Sequence, residues 1–524
     1  MHKQQKYNYA HREILKQALY FIRLLLYLLL TQQKYDCARC NKFKTEALIS
    51  HSLVRIFVHL SQTTQTGMKR VLIITYYWPP QGGSGVQRWV KFSKYLPSFG
   101  WTPVIYTPEN PDMTATDETL SKDIPEQAII LRRPIIEPYS LFRKMVGAPK
   151  DSAPVNHISG GGKKNWKMKL SLWLRANIFV PDPKFLWIRP SVKFLKKYLQ
   201  ENPVDVIIST GPPHSMHLIA RKVAKQTGIK WIADFRDPWT KIFYFKHLPL
   251  MGFIRRRYSA LEKKVLMDAD KIVTVSEPIR KEFEQMIKSW NGETPVFNVE
   301  NGYDESDFEH KDGAIPPDSQ FTLVHTGLFA QEGNPQMLWK VLGELCSQLS
   351  HFKESLSIRL IGKVDNAIKE SIERESLSEN TIYPGYLPHN QVNAIQQSAR
   401  ILLLPLRKEP EAEGILTGKY FEYLAAHRPI IAFGPGQSAL AESLRETGAG
   451  VIFDWEQKES LKDYILGEYI GYLHSIEANS DIICQTESLR DKYTGDRIVR
   501  GKPNEENIRR FSRKALTEKI VRLF

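Results

Sequence analysis

The chain has 524 residues, of which 42% are apolar and 25% charged, and its formal net charge is +16. That length exceeds what a single hydrophobic core supports, and the balanced composition excludes a disordered, collagenous or fibrous chain. The basic excess points to anionic partners such as acidic lipid or phosphorylated substrates, whereas no module for binding nucleic acid is recognisable.

Residues 1–67 differ from the rest. Ten Lys/Arg against three Asp/Glu place +7 of the net charge there. The apolar run Ala18–Leu30 is interrupted by Arg23 and, at thirteen residues, is too short to span a bilayer as a helix. No small-residue cleavage site follows it cleanly. The expectation is that translation begins at Met68 and that 1–67 is a start-site artefact, with a basic interfacial helix as the alternative. Cys37 and Cys40 have metal-ligand spacing but no second pair nearby. With Cys346 and Cys484 they make four cysteines in all, which argues for a reducing compartment rather than a disulfide framework.

From Met68 the pattern becomes that of an α/β protein. Val71–Ile74 reads as a strand buried on both faces, followed by a Pro/Gly-rich loop and an amphipathic helix starting near Gly85. Strand, glycine loop and helix N-terminus form an anion-binding corner in which Gly82, Gly83 and Gly85 let a phosphate or sugar approach backbone. A dinucleotide fingerprint fits poorly, because Arg88 stands where a third small residue is needed and strand Thr102–Tyr106 ends without a ribose-binding acid. A glycine turn that merely joins strand to helix remains the other reading. Further strands are expected at Ala128–Leu131, Val204–Ser209, Lys230–Ala233 and Lys271–Val275.

Between them, Lys163–Leu199 interleaves aromatic and basic residues, including Trp166, Trp173, Phe179, Phe185, Trp187, Lys184 and Arg189, after a flexible Gly160–Gly162 loop. This suits either an anionic membrane surface or interior packing. Polar clusters follow two strands: Thr210-Gly-Pro-Pro-His214 and Asp234-Phe-Arg236-Asp237. The second set could orient a hydroxyl, accept its proton or bind phosphate through Arg236, or it could be a self-satisfied pair that fixes the loop. His214 alone is weaker evidence.

A Pro-containing stretch, 309–320, reads as a linker, after which strands recur at Phe321–Thr326, Leu356–Ile361, Thr381–Tyr383, Ile401–Pro405, Pro429–Phe433 and Gly450–Phe453. Two doubly wound, Rossmann-like units are therefore expected, at 68–308 and 321–490, with the site in the cleft between them. In the second unit Thr417, Gly418 and Lys419 fall at a helix N-terminus suited to a diphosphate. Glu422, one turn on, could accept hydrogen bonds from two ribose hydroxyls.

Taken together, Gly82-Gly83 with Arg88, Asp270–Ser276, Asn298–Asp304, His325-Thr-Gly327, Ile358–Gly362, Tyr383-Pro-Gly385 and Lys419-Tyr-Phe-Glu422 with Arg428-Pro429 resemble the bacterial family 4 glycosyltransferases of GT-B architecture. The resemblance runs from Met68 onward. It implies two Rossmann-like domains facing across a cleft, and retaining transfer of a sugar from a nucleotide-diphosphate sugar without metal or cofactor. It places Glu422 at the ribose, Thr417, Gly418, Lys419 and Gly327 along the diphosphate, and Gly385, Tyr386 and Leu387 near the base. Gly82 and Gly83 would face the transferred sugar, and 491–524 would return to the first domain. Three departures stand out: Gly414 occupies the position eight before Glu422, with Glu413 one place off. Basic residues are missing from Leu328–Asn334, leaving Lys419 with Arg88, Lys363 or Arg407 to neutralise the diphosphate. The Asp234–Asp237 set replaces a histidine. The expected role is extension of a lipid-linked or surface glycan on a polyprenyl-diphosphate acceptor, at the cytoplasmic face of the membrane. The rivals are a nucleotide-sugar isomerase of the same fold and a non-catalytic partner.

Overall fold

The computed structural model describes residues 68–113, 116–137, 173–242 apart from 175, 245–309, 313–409, 413–493 apart from 415, 498 and 500–524. The extension 1–67, Cys37 and Cys40, the Gly160–Gly162 loop and Trp166 lie outside the described residues. Met68–Phe524 forms one compact unit.

Two parallel sheets organise it. The first has seven strands in the order β3-β2-β1-β4-β5-β6-β7: β1 Lys69–Ile74, β2 Trp101–Pro108, β3 Ile129–Arg133, β4 Val206–Gly211, β5 Lys230–Phe235, β6 Lys271–Thr274 and β7 Val296–Asn298. The second has six in the order β10-β9-β8-β11-β12-β13: β8 Phe321–Thr326, β9 Leu356–Ile361, β10 Thr381–Gly385, β11 Ile401–Pro405, β12 Ile430–Phe433 and β13 Gly450–Phe453. The continuous apolar runs follow from burial on both faces. In β1, Leu72 and Ile74 join one core and Val71 and Ile73 the other, with helices covering each side. In β11, Ile401 and Leu403 face one core and Leu402 and Leu404 the opposite one.

Strand order reverses between β1 and β4 in the first sheet and between β8 and β11 in the second. Loops leaving neighbouring strands diverge at these points and open a crevice at the strand C-termini. Four of the sequence segments flagged above leave the sheets here: the Gly82-Gly83 loop and His214 in the first, Gly327 and the Thr417–Lys419 helix start in the second.

Strand limits shift from those expected. β4 starts at Val206, since Arg70 N–H donates to the Asp205 carboxylate at 2.7 Å just below it, and runs on to Gly211 opposite Phe235. β3 continues through Arg132 and Arg133 because it is an edge strand, where charged side chains reach solvent; Arg133 lies over the Phe194 ring.

The last elements, Glu505–Arg509 and Arg513–Val521, connect the two halves. Ile508 and Phe511 belong to a core of the second sheet, whereas Leu516 and Ile520 join Val71 and Ile73 under the first. Phe524 meets Trp101 edge-on at 4.7 Å. Gly302 makes this crossing possible: its φ is +68°, and a Cβ there would meet Phe511 O and Leu516 Cδ1, each at 2.4 Å.

Within the aromatic-basic segment, Trp187 is interior, stacked on Tyr106 at 4.8 Å with its Nε1–H donated to Pro134 O. Trp173, Ile178 and Leu186 are exposed. Asn177 anchors this turn by accepting from Met251 N–H and donating to Pro249 O, beside exposed Phe253 and Arg255–Arg257. The segment thus divides between core and surface.

Candidate active site

The first crevice is built around a helix start with no side-chain cap. Gly83 precedes helix Ser84–Tyr95 at φ 101°, and nothing lies within 4 Å of where its Cβ would stand. Gly82 packs instead against Asp117. Arg236 crosses beside this helix start, donating through Nη1 to Gly85 O at 2.9 Å and through Nη2 to Pro212 O, with its guanidinium over Tyr77.

Asp234 has no exposed surface from which to meet a substrate. It is fully buried and accepts from Arg88 Nε and Nη2, Trp89 Nε1 at 2.7 Å and Thr210 Oγ1 at 2.8 Å. Burial alone would raise its pKa; the charge and hydrogen bonds of Arg88, with Trp89 and Thr210, outweigh that and hold it below the usual range. Arg88 also donates to Val299 O, Glu300 O and Asn301 Oδ1, so the pair ties the glycine-loop helix to β5 and to the chain leaving β7. Arg88, at 1% exposure, is equally unavailable to a diphosphate.

His214 stacks flat on Trp239 at 4.3 Å. Burial, and then the neighbouring His217 and Arg236, push its pKa well below 6.5, so it is neutral. Asp237 is half-buried; burial raises its pKa while Arg236 opposes the rise. Of the four residues read as catalytic, Asp237 is thus a partly exposed carboxylate that burial makes a stronger base than a free one.

In the second crevice the ends of β8, β9 and β10 are laced together. Gly327 N–H donates to Ile361 O and Gly362 N–H to Gly385 O, both at 2.7 Å. Tyr386, next in the chain, is 92% exposed, and Leu387 packs partly against the core beneath. Helix Gly418–Ala426 opens at Thr417, whose side chain makes no capping bond although its residue type favours one. The Thr417 hydroxyl is buried without a hydrogen-bond partner, and the space beside Gly418 is open. The hydroxyl is thus a free donor at the positive end of a helix, with room beside it for a ligand.

Lys419, half-buried, donates to Leu328 O at 2.8 Å and approaches His325 Nε2 at 3.2 Å. Burial, with Arg407 adding to it and Glu422 opposing, lowers its pKa to about 8. Lys419 and Arg407 are thus neighbours, whereas Lys363 is exposed. Glu422 receives Gln396 Nε2 at 3.4 Å; burial raises its pKa against His389, Gln396 and Lys419. Glu413 is exposed, and Gly414 lies against Pro278 of the first half. Among the described residues, the three carboxylates close enough to share an ion, Asp123, Asp304 and Asp307, already hold the Lys91 ammonium, and two of them also hold Lys94.

Two family models match this chain. A glycosyl transferase 4-like domain matches residues 170–294, and the group 1 glycosyl transferases match 320–467, together more than half of the chain. The chain belongs to the GT-B glycosyltransferases. A Bacillus subtilis (strain 168) protein named for glycosyl transfer in teichuronic acid biosynthesis is 23% identical to this glycosyltransferase over 203 residues, 38% of the chain. The chain spans about half, 49%, of that relative's length. By fold alone, the chain is similar to the Candida albicans trehalose-6-phosphate phosphatase N-terminal domain (TM-score 0.55, 10% identity, 87% of this chain and 97% of that one). It is also similar to a Burkholderia vietnamiensis trehalose-phosphate synthase (TM-score 0.52, 9% identity, 87% and 96%). The glycosyltransferase contains no helix, among the described residues, long and apolar enough to cross a membrane.

Proposed function

We propose that this glycosyltransferase moves a sugar with retention from a nucleotide-diphosphate sugar, held by the second sheet, to a lipid-linked or surface glycan held by the first. The observation that carries the reading is the open start of helix Gly418–Ala426. There, the unpaired Thr417 hydroxyl, the Lys419 ammonium and the Glu422 carboxylate stand within the first two turns of one helix. Helix N–H groups, Lys419 and Arg407 neutralise the charge that builds on the leaving diphosphate, and this is where a preorganised site lowers the barrier most. Glu422 accepts from the ribose diol, and Tyr386 and Leu387 flank the base. The acceptor hydroxyl forms its bond to the anomeric carbon as the bond to diphosphate breaks. Its proton passes to Asp237 or to a phosphate oxygen, since Asp234 is buried and already accepts from Arg88, Trp89 and Thr210. Such an arrangement needs neither metal nor cofactor.

Exposed Trp173, Ile178 and Phe253 beside Arg255–Arg257 support peripheral binding to an anionic leaflet on the cytoplasmic side, where a polyprenyl-diphosphate acceptor would be presented. The test is calorimetric titration with UDP, GDP, TDP and CMP, followed by transfer assays with the matching sugars. Binding of one nucleotide, lost in Glu422→Ala, with release of free nucleotide only when acceptor is present, is the expected result. Release without acceptor, or binding indifferent to Glu422, would refute it.

A further inference from the structure

His325 lies in β8, far in sequence from Lys419, and nothing above gives it a function. It is 1% exposed, its Nδ1 stands 3.0 Å from Leu403 O, and its ring packs on Phe329 at 4.2 Å. Burial first, and then the Lys419 charge, push its pKa well below 6.5 against the pull of the Leu403 and Leu328 carbonyls, so the ring is neutral. A neutral imidazole carries one proton. The Leu403 carbonyl takes it at Nδ1, which leaves Nε2 as a lone pair facing the Lys419 ammonium. Lys419 thus spends two of its three N–H bonds on His325 Nε2 and Leu328 O. Its stem passes over Gly327, where a Cβ would come within 2.8 Å of Lys419 Cε.

We infer that His325 is a positioning residue of the donor site: its Nε2, with Leu328 O and the bare Gly327, holds the Lys419 ammonium so that its third N–H points at the donor diphosphate. The turn His325-Thr-Gly327-Leu328 then acts on the phosphates through the lysine it cradles. The inference rests on the donor-site reading above. It also explains how a turn without basic residues contributes to diphosphate binding.

Lys419 is faced by His325 from β8, by Arg407 from the loop after β11, and by Glu422 from its own helix, with His389 and Asp307 acting on Glu422 in turn. With the Lys419 pKa lowered to about 8, affinity for a diphosphate should fall as pH rises through that range.

The experiment measures binding of UDP and GDP against UMP and GMP, from pH 6.5 to 9.5, in the full chain. In the unaltered protein the diphosphate should bind tighter than its monophosphate. Lys419→Met should abolish the difference. His325→Leu should cut diphosphate affinity about tenfold, the low end for a lost hydrogen bond to a charged group, leave the monophosphate nearly unchanged, and move the alkaline fall to lower pH. His325→Gln, whose amide oxygen can accept from the ammonium, should restore most of the loss. His325→Phe, equally without an acceptor, replaces the leucine variant if that one does not fold. If Lys419→Met leaves diphosphate binding intact, the donor-site reading itself fails. If Lys419→Met weakens it while His325→Leu does not, or if Gln and Leu lose equally, the positioning inference alone is overturned.

Discussion

Replacing Arg88 tests whether the Arg88–Asp234 pair is a structural hub and not part of the chemistry. Arg88→Met removes every Arg88 bond to the buried carboxylate, leaving only Trp89 and Thr210 as donors, and strips Val299 O, Glu300 O and Asn301 Oδ1 of a partner. An unpaired charge at 0% exposure is the costly case, so about 3–5 kcal/mol of stability should be lost. At about 2–4 °C per kcal/mol for a domain of this size, the melting temperature of the first half should drop by roughly 6–20 °C. Removing both charges in Arg88→Met/Asp234→Leu should recover much of that, because an apolar pair leaves no stranded ion. Urea unfolding at pH 7 of the two single variants and the double variant supplies the cycle. A cost under about 1 kcal/mol for Arg88→Met, or strict additivity in the double variant, would refute the hub. Asp234→Asn should lower stability while leaving turnover per folded molecule unchanged, the reverse of what a catalytic Asp234 requires. The pair's pH dependence also has a definite sign. With the folded pKa of Asp234 depressed, its contribution is complete above the unfolded value and disappears as pH falls through the folded one.

Gly302→Ala should cost roughly 2–5 kcal/mol, from left-handed backbone strain plus overlap with Phe511 and Leu516, and calorimetry should show it. Trp187→Ala should cost about 3–5 kcal/mol, whereas Trp173→Ala should stay within about 0.5 kcal/mol yet weaken sedimentation with phosphatidylserine vesicles; equal stability losses would deny the division of that segment. Between about pH 8 and 10.5 the unfolded chain keeps a proton on Lys419 that the folded chain has released. Unfolding should therefore become harder with rising pH in that window, by at most about 1.4 kcal/mol per unit, and Lys419→Met should remove this component.

Much of the fold was legible because its central strands are buried on both faces. Val71–Ile74 and Ile401–Leu404 have no polar face to hide them, and the Gly and Pro residues around such strands mark the crossings. β7 escaped because three residues carry no period. The proposed donor groups, Thr417 to Glu422, could be read together because they lie within two turns of one helix. The Arg88–Asp234 pair was not, since its members are 146 residues apart and meet only when β4 pairs between β1 and β5. Reading Asp234 with Arg236 took the nearest cation in sequence, but the fold supplies another. His325 was illegible for a related reason, as a lone histidine in a strand reveals neither its tautomer nor its neighbour.

The return of the chain's last helix to the first sheet sets a timetable for synthesis. The face holding Val71 and Ile73 lacks Leu516 and Ile520 until residues some 220 positions beyond β7 have been made, about 10–45 s later at roughly 5–20 residues per second. For that interval the nascent first half carries an open apolar groove shaped for a segment still inside or behind the ribosome. It is the period when a chaperone would find most to hold and when a neighbouring nascent chain could insert its own terminal helix. Stalling translation between β13 and Arg513 should therefore leave a first half that is protease-sensitive along β1, and a synthetic peptide of residues 505–524 added in trans should protect it.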